Sequence, residues 1–113
     1  MKSVVRDVGE VRVLDLEGKI TIGTGDLQLR QLVEESLTAG KNKILINLKG
    51  VTHIDSSGIG EMVGCFATVA RRGGKMKLEN LPAKINDILQ VTQLITVFDV
   101  YDSEPEALSS FKL

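Results

Sequence analysis

Cysteine, histidine and tryptophan are nearly missing from this sequence, which has one cysteine, one histidine and no tryptophan among its 113 residues. The single thiol, Cys65, allows neither an intrachain disulfide nor a cysteine-based zinc site. With His53 as the only imidazole, a histidine metal site would need carboxylate ligands, and a serine–histidine–acid triad would have to use this one ring. We therefore expect no metal site, no catalytic residues and no bound cofactor.

An excess of charge of one sign is also missing, because 14 lysines and arginines face 15 aspartates and glutamates, for a net charge of -1. A chain without a positive field is not drawn onto phosphate backbones, so we expect no direct nucleic-acid binding. No apolar run approaches the roughly 18 residues of a membrane-spanning helix, and no basic-then-apolar leader opens the sequence. The sequence therefore predicts a soluble, cytoplasmic protein without membrane insertion.

Apolar residues, at 42%, and charged residues, at 26%, are present in the proportions of an ordinary globular domain. A domain of this length buries about two thirds of the surface that its unfolded chain exposes, which is enough for a core without disulfides or metal. No linker or internal repeat divides the sequence. It therefore predicts one domain over residues 1–113.

The apolar spacing changes repeatedly between the strand period and the helix period along the chain. Strands are predicted at residues 3–6, 11–16, 43–48, 75–78 and 95–100, and helices at residues 24–39, 59–70, 82–92 and 103–111. Strands that alternate with helices run parallel, whereas the first two strands are close enough to form a hairpin. The predicted fold is α/β: a mixed, mostly parallel β-sheet with four α-helices and a leading β-hairpin.

The segment between the central strand and the second helix concentrates small and polar residues, because residues 51–60 read VTHIDSSGIG. Ligands and partners of open α/β sheets meet the carboxyl ends of the strands, where this segment is expected. Asp55, Ser56 and Ser57 all suit the N-cap of a helix, so one of them should accept a hydrogen bond from its free N–H groups. Ser57, nearer the helix, is the expected cap. The segment is either an ordinary capped helix start or a functional site.

Glycines recur in the second helix although each costs about 1 kcal/mol of helix stability relative to alanine. Gly58 and Gly60 fall in the first turn, and Gly64 follows one turn after Gly60. With either Ala67 or Thr68, Gly60 and Gly64 would form a smooth stripe along the helix. Small residues permit close packing of either kind, so the stripe lies against the protein's own sheet or against a partner.

Several other polar residues have simpler interpretations. The pairs Glu34-Glu35 and Arg71-Arg72, together with Lys75 and Lys77, are expected to be solvated because charged side chains are mostly exposed. His53 is expected to be a loop histidine that hydrogen-bonds the backbone. Cys65 is expected to be a buried small hydrophobe without a lowered pKa.

The DSSGIG segment at residues 55–60, preceded by ILINL at 44–48 and VTHI at 51–54, resembles the sequence motif of the STAS domain, specifically of the bacterial anti-sigma factor antagonists. The resemblance extends to Gly18, to the turn at residues 73–74 and to the strand at 94–100 with its following acidic helix start. One difference is that many antagonists carry an aspartate near the end of a Gly-x-Leu-Asp stretch, where residues 18–21 read GKIT.

This resemblance implies a function. The first serine of the family's Asp-Ser-Ser/Thr-Gly motif is phosphorylated by a partner that is both an anti-sigma factor and a serine protein kinase, and it corresponds to Ser56. The unmodified protein would bind this partner and release the sigma factor, and a phosphatase would reset the phosphorylated form. The expected partner-binding residues are Asp55, Ser56, Ser57, Gly58, Ile59, Gly60 and Gly64.

Other functional classes fit the segment less well. A nucleophile elbow needs a glycine two residues before its serine, and a P-loop needs a lysine, and the segment has neither. We therefore expect a regulatory binding module and not an enzyme. Within the resemblance, the alternative is a non-switching module that acts as the scaffold of a signalling complex or as the soluble subunit of a membrane transport system.

Overall fold

Strands and helices alternate along the chain in the computed structural model, which describes residues 1–112. In chain order the elements are β1 (Lys2–Val8), β2 (Val11–Ile20), α1 (Asp26–Thr38), β3 (Lys43–Ile54), α2 (Ser56–Arg71), β4 (Lys75–Glu79), α3 (Ala83–Val91), a 3-10 helix (Leu94–Thr96), β5 (Val100–Tyr101) and α4 (Glu104–Ser110). The predicted order of strands and α-helices is confirmed, and the 3-10 helix is an addition to it.

The sheet has the order β1-β2-β3-β4-β5. β1 and β2 form the antiparallel hairpin, and every later strand runs parallel to its neighbour. This arrangement arises because a helix between two strands returns the chain to the same end of the sheet before the next strand begins. The predicted mixed, mostly parallel α/β fold is therefore confirmed.

The two faces of the sheet bury different sets of helices. In β3, Ile44 and Ile46 lie in a core cluster with the apolar residues of α1, α2 and α3, whereas Leu45 lies in a second cluster with Ala107 and Phe111. Successive strand residues point to opposite faces, so α4 packs on the face opposite the other three helices. The central strand is covered on both faces, as its continuous apolar run predicted.

β2 and β3 both continue beyond their predicted ends, to Ile20 and Ile54. Two shifts in their pairing, between Asp15 and Glu17 and between Gly18 and Lys19, allow the parallel ladder to extend in this way. The loop predicted at residues 49–56 is therefore wrong. Asp55 is the one residue between the end of β3 and the first residue of α2.

The strand predicted at residues 95–100 is wrong over most of its length. Gln93 adopts a left-handed conformation with φ 61°, and the chain then turns through the 3-10 helix at Leu94–Thr96. Phe98 is buried in the core, and the chain reaches β4 at Val100 and Tyr101, which pair with Leu78 and Glu79. A residue becomes part of a strand by pairing with a neighbour, so apolar composition alone overestimated β5.

Candidate functional site

Asp55 connects the start of α2 to the loop that follows β2. One carboxylate oxygen accepts a hydrogen bond from the backbone N–H of Gly58 at 2.9 Å, and the other accepts from the N–H of Ile22 at 2.9 Å. These bonds, that from Ile22 first, lower the pKa of Asp55 because they favour the charged carboxylate. The side chain therefore stays ionised and fixes two chain segments that are distant in sequence.

The N-cap of α2 is Asp55, and the prediction that Ser57 caps the helix is wrong. β3 runs through Ile54, so the N-cap lies two residues earlier than expected and Ser57 lies inside the first turn of α2. Ser56 is the first helical residue and is exposed, whereas Ser57 is half-buried. Of the two hydroxyls, that of Ser56 is thus the more accessible to an external group.

Gly58 is buried at the point where α2 approaches the end of β2. A Cβ atom on this residue would lie 2.0 Å from the carbonyl oxygen of Ile20 and 2.8 Å from a side-chain carbon of Ile54. No side chain fits this space without a shift of the backbone. The glycine is therefore required by the protein's own packing.

Gly60 and Gly64 differ from Gly58, since no described atom outside the local helix would lie within 4 Å of a Cβ on either residue. Both line a groove of about 300 Å³ between α2 and α1. An ion pair between Arg30 of α1 and Glu61 of α2 crosses the same groove. The alternative in which this stripe packs against the sheet is therefore excluded for Gly60 and Gly64.

Ile22 lies beside this site, which the sequence analysis did not predict. Its side chain is 74% exposed, and its backbone N–H donates to Asp55. A large apolar side chain that is exposed in the free domain supplies area that a partner can bury. The available signal was an isoleucine within the glycine-rich turn at residues 21–25, where a polar residue is usual.

Residues 2–107 match the profile of a protein family described as the STAS domain. This chain belongs to the STAS domain family. The anti-sigma-B factor antagonist of Bacillus subtilis is 31% identical over 87 residues, which are 77% of this chain and 78% of that protein. The anti-sigma F factor antagonist of Paenibacillus polymyxa is 25% identical over 103 residues, which are 91% of this chain and 88% of that protein.

The crystal structure of the Thermotoga maritima protein tm1081 has the same fold, with a TM-score of 0.90 and 26% identity over 98% of this chain and 95% of that chain. Together with the Bacillus subtilis relative, this similarity places the STAS domain in the anti-sigma factor antagonist family. The resemblance inferred from the DSSGIG segment is therefore confirmed. Among residues 1–112, no helix is both long enough and apolar enough to cross a bilayer.

The predictions for Cys65, His53 and Lys77, which lie outside the DSSGIG segment, have different outcomes. Cys65 is buried, as predicted, and burial raises the pKa of its thiol to about 12. His53 is an exposed residue of β3 whose Nδ1 lies 3.0 Å from the hydroxyl of Thr52, so its prediction as a backbone-bonded loop residue is wrong. Lys77 is 5% exposed and donates to the backbone and hydroxyl oxygens of Ser110, so its prediction as a solvated residue is also wrong.

Replacing Asp55 with alanine should lower the melting temperature of the STAS domain by a few degrees. The change removes the N-cap of α2 and leaves the N–H of Ile22 without its acceptor. Thermal unfolding followed by circular dichroism measures the effect. The matched control is Ser103→Ala, which removes the 3.4 Å cap of the shorter helix α4 and should have the smaller effect. An unchanged melting temperature for Asp55→Ala would contradict this role.

Proposed function

We propose that this STAS domain binds an anti-sigma factor that is also a serine protein kinase, and that phosphorylation of Ser56 ends the binding. The proposal depends on one observation above all: Ser56 is an exposed hydroxyl at the first position of a 16-residue helix. In the unmodified state the domain holds the anti-sigma factor, and the sigma factor is released. A phosphatase returns the phosphorylated domain to the binding state.

A phosphate on Ser56 is compatible with the fold of this domain. The exposed side chain has solvent around it, and the positive end of the α2 dipole favours an anion at this position. The modification adds about -1.5 to -2 charges at pH 7, next to the carboxylate of Asp55. An interface formed around a neutral hydroxyl would have to desolvate this charge, so phosphorylation should act on binding and not on folding.

The proposed docking surface consists of Ser56, Gly60 and Gly64 on α2, with Ile22 beside the start of the helix. The two glycines allow a partner's backbone or side chain to approach α2 closely, because no Cβ occupies the groove. The exposed side chain of Ile22 supplies area that a partner can bury. Gly58 and Asp55 contribute indirectly, because they hold the start of α2 and the loop after β2 in place.

In this proposal the domain supplies no catalysis of its own, and the kinase activates the Ser56 hydroxyl. The surroundings of Cys65, the candidate nucleophile, and of His53, the candidate base, support this proposal. The raised pKa of Cys65 keeps its thiol protonated, and the His53 ring faces the hydroxyl of its neighbour Thr52. The partners are then the anti-sigma factor kinase and a phosphatase, in the cytoplasm, with no direct contact to nucleic acid.

Substitutions at Gly64 test the docking surface. Gly64→Ala should stabilise the domain by roughly 0.5–1 kcal/mol, because alanine favours the helix interior and the new methyl group meets open space. Gly64→Leu should fold equally well but weaken the binding of the anti-sigma factor at least tenfold, because its side chain fills the groove. Calorimetric unfolding and isothermal titration against the partner should be measured on the same samples.

The matched control for this experiment is Ala70→Leu. Ala70 is exposed on the same helix, but six residues further along, so it points to a different side of α2. It should leave the affinity unchanged. Equal affinities for Gly64→Leu and the unmodified domain would remove α2 from the docking surface, and a marked drop in melting temperature for Gly64→Ala would mean that the groove is part of the core.

A further inference from the structure

A row of polar side chains crosses the face of the sheet that α4 covers. Asp15, Asn47 and Glu79 are paired across β2, β3 and β4, and Asn47 donates a hydrogen bond to Asp15 at 2.8 Å. Arg6 of β1 donates to Asp15 at 2.5 Å and to Glu104, in the first turn of α4, at 2.6 Å. The proposed phosphorylation site uses none of these groups.

Glu79 is the unusual member of this row. Its exposure is 0%, and neither of its carboxyl oxygens has a hydrogen-bond partner in the described part of the chain. Oxygens from Asp15, Glu79 and Glu104 all lie within 4.8 Å of one another. Three carboxyl groups thus lie close together, and the guanidinium of Arg6 bonds only two of them, which leaves an excess of negative charge in a buried place if all three are ionised.

Two species can relieve this excess: a metal cation or a proton. The guanidinium of Arg6 already donates to both oxygens of Asp15 and both oxygens of Glu104. A cation bound to these carboxylates would have to displace Arg6, whereas a proton on Glu79 requires no displacement. The geometry therefore favours the proton.

We propose that Glu79 is a proton-dependent latch that holds α4 on the sheet. In the latched state the carboxyl of Glu79 is neutral, and a small rotation directs its O–H toward the carboxylate of Glu104. When the proton is lost to solvent, two carboxylates face each other between β4 and α4. Their repulsion loosens the first turn of α4 and weakens its packing through Ala107 and Phe111.

The groups around Glu79 support this assignment from every neighbouring element. Arg6 and Asp15 approach from the hairpin, Glu104 from α4, Tyr101 is paired with it on β5, and Lys77 lies two residues earlier on β4, where it donates to Ser110. Burial, and then the neighbouring Glu104, raise the pKa of Glu79 to about 8, while hydrogen bonds from Arg6 lower the pKa of Asp15 and Glu104.

The sign of the pH effect follows from these directions. Glu79 binds its proton more tightly in the folded state, so its stabilising effect is complete below pH 4.5 and is lost as the pH rises toward about 8. The pKa values of Asp15 and Glu104 are lowered in the folded state, so their stabilising effect is lost as the pH falls, in the opposite direction to that of Glu79. On account of Glu79 the folding equilibrium constant should fall by up to roughly tenfold per pH unit in this range.

The experiment compares the unmodified domain with Glu79→Gln, whose neutral amide has nearly the same shape as the protonated carboxyl. Denaturant unfolding at pH 5, 6.5 and 8 should show the fall in stability with pH for the unmodified domain and a flatter profile for Glu79→Gln. Carbon-13 NMR of the side-chain carboxyls should show one resonance that titrates well above the others and is missing from Glu79→Gln. Amide exchange in residues 104–110, corrected for its intrinsic pH dependence, should accelerate above pH 8 only in the unmodified domain.

The control is Glu106→Gln, which removes an exposed carboxyl from the same helix and should keep the profile of the unmodified domain. The unmodified domain and Glu79→Gln share every other titrating group, so the difference between their pH profiles isolates the effect of Glu79. Identical pH profiles, or a Glu79 resonance that titrates in the ordinary range of glutamates, would overturn the latch. Because Ser56 is not involved, failure of the latch leaves the proposed phosphorylation switch intact.

Discussion

Gly58→Ala should lower the stability of the domain by about 2–3 kcal/mol, and its melting temperature by roughly 10 °C. The added Cβ would lie 2.0 Å from the backbone oxygen of Ile20, so either α2 or the end of β2 must move. Overpacking of this kind outweighs the gain of less than about 1 kcal/mol that alanine gives to a helix. Calorimetric unfolding of the purified variant measures the difference.

The matched control is Gly60→Ala, two residues further along the same helix. Its new methyl group meets open space, so the stability should be unchanged or slightly raised. The contrast between the two variants tests the geometry and not the general cost of glycine replacement. Equal effects at the two positions would contradict the close approach of α2 to β2.

Phosphorylation of Ser56 should weaken binding of the anti-sigma factor at least about a hundredfold while leaving the melting temperature within a few degrees. A hundredfold change corresponds to about 2.7 kcal/mol, which is less than the usual cost of desolvating an unpaired charge. The negative charge would lie next to the ionised carboxylate of Asp55, which also accepts a hydrogen bond from the backbone of the exposed residue Ile22. Ser56→Glu should reproduce part of the loss.

The control for this experiment is Ser109→Glu. Ser109 is exposed on α4, which packs on the other face of the sheet, so the same added charge should leave the affinity unchanged. Isothermal titration of the anti-sigma factor against the unmodified domain, Ser56→Glu and Ser109→Glu shows whether the position of the added charge or its mere presence weakens binding. Equal weakening by Ser56→Glu and Ser109→Glu would indicate general repulsion, and the docking surface would have to lie elsewhere.

The order of elements was predictable from the sequence because local spacing and burial agree in most of them. Leu29, Val33 and Leu37 recur at helical spacing, and all three are buried on one side of α1. The apolar run of β3 predicted a strand covered on both faces, which the two core clusters confirm. Where the apolar spacing within a segment determines its secondary structure, the sequence alone predicts that element.

The N-cap of α2 was not predictable, because the choice among three adjacent cap residues depends on where β3 ends. That end is determined by pairing with β2 across two register shifts, which no local pattern indicates. The bond from Ile22 to Asp55 depends on the same pairing, and the exposed Ile22 beside the site was missed for this reason. The sequence therefore identified the DSSGIG segment, but not the loop after β2 that lies beside it.

The buried charges of β4 were missed for a related reason. The sequence KMKLE at residues 75–79 alternates polar and apolar residues, which is typical of a strand with one solvated face. Here α4, which follows some 25 residues later, covers the polar face, so that both Lys77 and Glu79 are buried. A pattern within one strand cannot indicate which distant helix will lie on it.

The most direct test of the proposed switch is to incubate the domain with its cognate anti-sigma factor kinase and ATP, and then to measure intact mass and map the phosphopeptide. The account predicts the addition of one phosphate, on Ser56. It also predicts that Ser56→Ala gains none, keeps near-normal stability and still binds the kinase. No gain in mass with a kinase that binds the domain, or modification of Ser57 alone, would contradict it.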